Sequence, residues 1–198
     1  MVASPALGVK SVKDLIALAK AQPGKIIFGS AGGVGSGPYL NGARFNLSAD
    51  IKVISVAYKG ASESMIEVMA GRSHYSIMSL LASLPYIKDG KLLALAVFIP
   101  ERSSVLPDVP AMGEILPEFK RSTAAGHGLL APGGTPRPIL NYISKEVARI
   151  LALPAVRERL HATGFVPAPN TPEEQDKVLR EHIVMLSKLV KEAGLKAK

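Results

Sequence analysis

Apolar residues recur at helical spacing from Val12 through Leu15 and Ile16 to Ala19, and the run stops at Pro23-Gly24. Ser11 stands where an N-cap belongs and Asp14 follows three residues on as in a capping box, so this stretch reads as a helix. The period then shortens. Ile26-Ile27-Phe28 is an apolar run of strand length, and Pro38 suits the first turn of a second helix whose face carries Leu40, Ala43 and Leu47. Residues 52–58, rich in β-branched side chains, read as a second strand. A third helix follows over Ala61–Ala70, with Met65, Ile66, Val68 and Met69 inward and Gly71 ending it. Tyr75–Ser79 is a short third strand, Leu80–Lys88 a short helix carrying Pro85, and Leu92–Phe98 a continuous apolar strand of the kind covered on both faces.

Strand and helix therefore alternate over the first hundred residues. That order predicts an α/β fold with a mostly parallel sheet flanked by helices, whose ligands bind outside the carboxyl ends of the strands. Pro100, Pro107, Pro110 and Pro117 then punctuate a surface excursion that holds one short helical turn around 111–115. Gly126–Ala131 reads as a further strand. Thr135-Pro136 opens a helix with Ile139, Leu140, Ile143, Val147, Ile150 and Leu151 on one face, and a shorter helix covers Pro154 to about Ala162. Thr171-Pro172-Glu173-Glu174 is a capping box that opens a last helix bearing Val178, Ile183, Leu186, Leu189 and Val190. This helix-rich tail has large apolar faces and little sheet. Its partner layer must come from the α/β unit, a second chain, or chain outside this sequence.

With 198 residues, 47% of them hydrophobic, the chain suits one sizeable domain or two small lobes with a real core. Its net charge of +8 is spread along helices (Lys10, Lys13, Lys20, Arg149, Arg157, Arg159, Lys188, Lys191) without a dense run, and there is no Trp to stack bases. Nucleic acid is therefore not expected as a partner. The absence of cysteine excludes disulfides, thiolate nucleophiles and Cys-based metal sites. No stretch is long and apolar enough to span a bilayer, and Met1–Pro5 lacks the basic-then-apolar pattern of a signal peptide.

The candidate chemistry lies in Gly29-Ser30-Ala31-Gly32-Gly33-Val34-Gly35-Ser36-Gly37-Pro38, where a strand opens through glycines into a helix start. Unpaired first-turn amides and the positive end of the helix dipole favour a carboxylate or phosphate there. The candidate ligand-binding residues are Ser30, Ala31, Gly32, Gly33, Gly35 and Ser36, joined by Tyr58 and Ser79 at the ends of the other strands. Two roles stay open for Ser30 and Ser36, donating to a carboxylate or capping the helix, and two for Tyr58, facing a ligand or filling the core. The run is not a dinucleotide fingerprint, since Pro38 stands where a third glycine belongs, and it is not a P-loop, since no Lys follows Gly37. His74, His127, His161 and His182 show no metal-ligand spacing, and no Gly-x-Ser-x-Gly elbow occurs. Ser36 is the best nucleophile on offer and has no evident base. No cofactor, metal or enzymatic activity is expected.

An ordered set of blocks carries a resemblance: Pro23-Gly24-Lys25, Phe28-Gly29-Ser30-Ala31-Gly32, Gly35-Ser36-Gly37-Pro38-Tyr39-Leu40, Ala57-Tyr58-Lys59-Gly60, Leu84–Leu92, Leu106-Pro107-Asp108-Val109-Pro110 and Gly128–Pro136. Together they resemble the tripartite tricarboxylate transporter substrate-binding proteins, the Bug or TctC family. The resemblance implies a two-lobed periplasmic binding protein of the type II α/β class, which holds a small organic carboxylate between its lobes and hands it to membrane transporter components without chemistry. It implies that 9–121 form the second lobe, that 122–198 return to the first, and that the front of the first lobe lies outside this sequence. An extra glycine in the 32–35 loop, Tyr39 where His is common, His74 and Met78 where Asp is usual, and Gly126 where an aromatic is common mark departures, so ligand identity does not carry over. The other expectation is an oligomeric interaction or structural protein in which the tail helices form a homo-oligomer and the cleft is vestigial.

Overall fold

The computed structural model describes residues 1–120, 128–162, 165 and 167–194. The chain divides into two compact units, Met1–Ala124 with Lys188–Lys198, and Ala125–Ser187.

The first unit is built on a five-stranded sheet of order β3-β2-β4-β1-β5. Its strands are β1 (Val2–Ala3), β2 (Ile27–Ala31), β3 (Ile54–Tyr58), β4 (Tyr75–Ile77) and β5 (Leu93–Ala94). β2 runs parallel to both β3 and β4, pairing Ile27 with Ile54 and Phe28 with Tyr75. The expected parallel core is therefore present. The sequence pattern did not foresee β1, two residues wedged antiparallel between β4 and β5, with Val2 opposite Ser76 and Ala94. Nor does the apolar run over Leu92–Phe98 form one long strand, because its partner changes along the way. Beyond Ala94, Leu95 donates to Met1 O, Met1 N donates to Ala96 O, and Val97 pairs with Ala111.

Alternation along the strands separates two apolar layers. On one face Phe28, Tyr75, Ile77 and Ala3 pack with Val12, Leu15 and Ala19 of α1 (Val12–Ala21) and Phe45 of α2 (Gly37–Ser48). On the other, Val2 and Leu92 pack with Met65 and Val68 of α3 (Ala61–Met69), and Tyr86 and Ile87 of α4 (Leu80–Lys88) lie against them. The helix starts follow their signals. Ser11 Oγ accepts from Asp14 N at 3.1 Å, and Gly71, at φ 73°, ends α3. The buried face of α2 corrects the expectation of Leu40, Ala43 and Leu47: Gly42 and Phe45 turn inward, and Leu47 is exposed. Tyr75 forms the centre of this layer, its ring 5.1 Å from Phe28 and 6.0 Å from Phe45, with its hydroxyl donating to Asn46 Oδ1. Burial raises the pKa of that hydroxyl far above the usual range.

The Pro-rich excursion holds α5 (Met112–Ile115) and a 3-10 turn over Pro117–Phe119. Glu114 ties it together, accepting from Ala111 N and pairing with Arg102 at 2.8 Å, and both interactions hold its carboxyl down at about 2. Arg44 of α2 stacks over Phe119 at 4.1 Å and fastens the end of the excursion to the helix.

His74 closes the lower end of the β2–β4 pairing. Its backbone N–H donates to Ile27 O at 2.9 Å, and its ring Nδ1 accepts from Ile27 N at 2.8 Å. The ring is thus neutral with its proton on Nε2, and partial burial lowers its pKa below the ordinary 6.5. Below that pH the unfolded chain binds a proton that the fold holds off, so stability is full above pH 6.5 and is lost as pH falls through the lowered folded value. His74→Gln keeps an acceptor and removes the titration. Its urea midpoint is expected to fall less than that of the wild type between pH 7.5 and 5.5, and equal falls would refute the assignment.

The second unit contains α6 (Arg137–Leu151), α7 (Pro154–Ala162) and most of α8 (Pro172–Glu192). The capping box at Thr171 is present, Thr171 N donating to Glu174 Oε2 at 2.8 Å and Glu174 N to Thr171 Oγ1 at 3.2 Å. Arg137 pairs with Glu173 and Asp176, joining the starts of α6 and α8. The expected strand at 126–131 is corrected for 128–131, which form no strand and leave Leu130 90% exposed; Gly126 and His127 lie outside the described residues. A strand exists only where a neighbour takes its N–H and C=O groups, and among the described residues nothing pairs with this one.

Candidate strand-end anion site

β2, β3 and β4 point the same way and lie side by side, and each leads into a helix: β2 into α2, β3 into α3, β4 into α4. The three helix N-termini therefore open on one edge of the sheet, each presenting first-turn amides and the positive end of its dipole. Two of these junctions, the glycine loop and the Tyr58-Lys59-Gly60 turn, were legible as strand ends facing one place. The third, at Ser79-Leu80, shows in the sequence only through Ser79.

The glycine loop is held in a defined shape. Gly32 N donates to Ser30 O at 3.1 Å, and Ser36 N donates to Gly33 O at 3.0 Å. Gly32 has φ 118° and Gly35 φ 90°, values that a side chain disfavours, and Gly35 takes the third position of the 33–36 turn, where a type II turn needs positive φ. Among the described residues the N–H groups of Gly33, Val34, Gly35 and Gly37 have no acceptor. Ser36 Oγ accepts from Tyr39 N at 3.3 Å and is the α2 cap, with its own proton left to donate. Ser30 is fully buried and its Oγ donates to Gly32 O at 3.1 Å, so it shapes the loop from beneath. Ala31 ends β2 opposite Tyr58.

At the second junction Tyr58 turns back from the edge. Its hydroxyl lies 2.9 Å from Ser73 Oγ, and its ring covers Gly29 so closely that a Cβ there would be 3.1 Å from the ring and 2.9 Å from Ser73 Oγ. Gly29 is thus a glycine for packing. Below it Ser64 Oγ donates to Gly29 O and lies 3.1 Å from Ser76 Oγ, a buried polar link from α3 to β2 and β4 that sequence reasoning did not single out. Its only sequence signal is a serine on the inner face of an apolar helix. Lys59 N donates to Glu63 Oε2 at 2.9 Å, and no side chain caps α3. At the third junction Ser79 is exposed and caps nothing with its side chain, so the first amides of α4 are open as well.

The structure therefore brings Ser30, Ala31, Gly32, Gly33, Gly35, Ser36 and Ser79 to one sheet edge, and directs the Tyr58 hydroxyl into the layer beneath. A cavity of about 250 Å³ lined by Lys10, Lys13, Leu95, Asp108, Pro110 and Ile115 shares no residue with this edge. Among the described residues no group of His, Asp or Glu could hold a metal ion, and no helix is long and apolar enough to cross a membrane. A cluster of amides without a polarised nucleophile or an adjacent base is equipped to hold an anion.

Comparison with known proteins bears on this geometry. Residues 1–195 match the model of the tripartite tricarboxylate transporter family receptor, TctC. Protein BugT of Bordetella pertussis is 31% identical, the match covering 100% of this chain and 60% of that protein. A UPF0065 protein from the TAR-I ttuE-ttuC' intergenic region of Agrobacterium vitis is 33% identical over 93% of this chain and 54% of its own length. Among solved structures, R. palustris Rpa4515 with adipate superposes at a TM-score of 0.78 with 27% identity, covering 98% of this chain and 64% of that one. MatC (Rpa3494) from Rhodopseudomonas palustris with bound malate gives 0.78 and 26%, covering 96% and 65%. Periplasmic binding protein BugD gives 0.78 and 25%, covering 100% and 66%. The chain thus spans about 60% of the curated relative BugT and about two thirds of the solved structures it resembles.

Proposed function

The chain belongs to the tripartite tricarboxylate transporter receptor family, and from that premise we propose that it binds a small organic carboxylate and does no chemistry on it. The observation that carries this reading is the convergence of three helix N-termini, α2, α3 and α4, on one sheet edge, with the amides of Gly33, Val34, Gly35 and Gly37 unpaired. The Ser36 hydroxyl and the open start of α4 at Ser79 add donors to the same edge. Two related structures hold adipate and malate, both carboxylates, which supports the same class of ligand here. In this reading 9–121 act as the family's second lobe, 122–198 belong to the first, hinge closure accompanies binding where both lobes are whole, and the setting is the periplasm beside a membrane transporter.

Thermal-shift titration with hexanoate, succinate, adipate, malate and citrate tests it. At a ligand concentration a hundredfold above the dissociation constant, binding stabilises by about 2.7 kcal/mol, which moves the midpoint by several degrees. Ser36→Ala removes both a cap and a charge-assisted donor, so affinity is expected to fall about tenfold while the unliganded fold loses about 1 kcal/mol. No stabilisation by any of these acids would sink the proposal.

A second reading is favoured by the exposed apolar rows Ile139, Tyr142, Ile143 and Ile150 on α6 and Val178, Leu179, Ile183 and Val184 on α8. In it these helices form a homo-oligomer. A strict monomer by light scattering at high concentration would contradict it.

A further inference from the structure

The amides at the sheet edge account for a carboxylate group, and the side chains between them bear on the remainder of the molecule. We propose that this site selects carboxylates whose remainder is hydrocarbon, with Val34, Met78 and Leu81 as the selecting side chains, and rejects those bearing an ammonium. The inference rests on the carboxylate reading above and narrows its ligand class.

Val34 sits in the glycine loop between the free amides of Gly33 and Gly35 and is 63% exposed. Leu81, the second residue of α4, is 45% exposed. Met78 links β4 to α4 and packs on the cluster of Val2, Met65, Val68 and Leu92. β2 and β4 are adjacent, with Ser30 opposite Ile77, so these three residues follow strand ends that lie about 5 Å apart. A single exposed aliphatic side chain needs no explanation, but these flank unpaired donors on neighbouring strands.

The charges point the same way. Ala31–Tyr39 and Met78–Ser83 contain no Asp, Glu, Lys or Arg. At the second junction Lys59 adds a positive charge, and the acidic Glu63 already accepts from Lys59 N. An ammonium on the ligand would face the positive ends of three helices and, from the β2 and β4 junctions, no carboxylate. Each methylene that reaches Val34, Met78 or Leu81 gains up to about fourfold in affinity.

The test is a titration of the 198-residue chain with acetate, butanoate and hexanoate, followed through the amide NMR signals of Gly33, Val34, Gly35 and Gly37. 4-Aminobutanoate is compared with butanoate. Hexanoate, with four more methylenes, is expected to bind up to about 250-fold more tightly than acetate. 4-Aminobutanoate should bind at least tenfold more weakly than butanoate. In Val34→Ser/Leu81→Ser the hexanoate-to-acetate ratio should fall below about tenfold. A flat chain-length series, or 4-aminobutanoate equal to butanoate, while carboxylates still bind at these amides, overturns the selection and leaves the carboxylate reading standing. Failure of every acid to bind overturns both.

Discussion

Gly42→Ala is expected to lower the stability of the first unit by about 2–3 kcal/mol and its melting midpoint by roughly 5–10 °C. Two effects of opposite sign compete. Alanine is the better helix former, which by itself would stabilise an interior helical position by about 1 kcal/mol. A Cβ at this position, however, would lie 2.1 Å from Phe28 Cζ and 2.2 Å from Cε1. That ring cannot swing aside at small cost, because it is buried against Tyr75. Either α2 lifts from the sheet or Phe28 leaves its rotamer, and overpacking of this kind outweighs the propensity gain. Phe28→Leu shortens the obstructing ring, so in the Gly42→Ala/Phe28→Leu double variant the two losses should be less than additive. A Gly42→Ala melting point at or above that of the wild type would show that α2 does not sit this close to β2.

Gly32→Ala is expected to separate binding from folding. At φ 118° the backbone occupies a region that side chains rarely adopt, and a Cβ there would be 3.1 Å from both Cβ and Oγ of Ser36. The strain is about 1–3 kcal/mol, and a surface loop relieves it by changing shape, which limits the loss of global stability. Relief comes at the expense of the amide arrangement: Gly32 N no longer meets Ser30 O, and the cap at Ser36 moves. Affinity for any carboxylate that stabilises the wild type should therefore fall at least tenfold, about 1.4 kcal/mol, with a melting point within several degrees of the parent. Gly33, whose Cβ would meet nothing within 4 Å, is the stability control. Unchanged affinity in Gly32→Ala would place the ligand elsewhere.

The parts of this fold that could be read from the chain are those announced by local chemistry. Ser11 with Asp14, Pro38, Gly71 and Thr171 with Glu174 each mark a helix end through a bond or a φ value that the structure contains. The glycine loop was legible for the same reason, since its positive φ values require glycine. What escaped depends on partners distant in sequence. Two residues are too few to show a period, so β1 was invisible until β4 and β5 lay on either side of it. The inner face of α2 was misassigned because its close contact with the sheet is made through Gly42, a residue with no hydrophobicity to score. Alternation along β3 could not place Tyr58 either, because β3 is an edge strand with Ile54 itself half exposed. The segment 128–131 has the composition of a strand without a strand beside it, and composition does not supply one.

The position of β1 also sets an order of events during synthesis. Val2 and Ala3 close hydrogen-bonded ladders with residues 75–76 and 93–94, so this inner strand is translated before both of its neighbours and waits for each of them. At typical elongation speeds of about 5–20 residues per second, roughly 5–20 s pass between the emergence of Val2 and that of its second partner. Through that interval the nascent chain carries β2, β3 and β4 with one flank of β4 open. A sheet completed by a strand that precedes both of its partners depends on keeping that strand unengaged until the ribosome has moved nearly a hundred codons on.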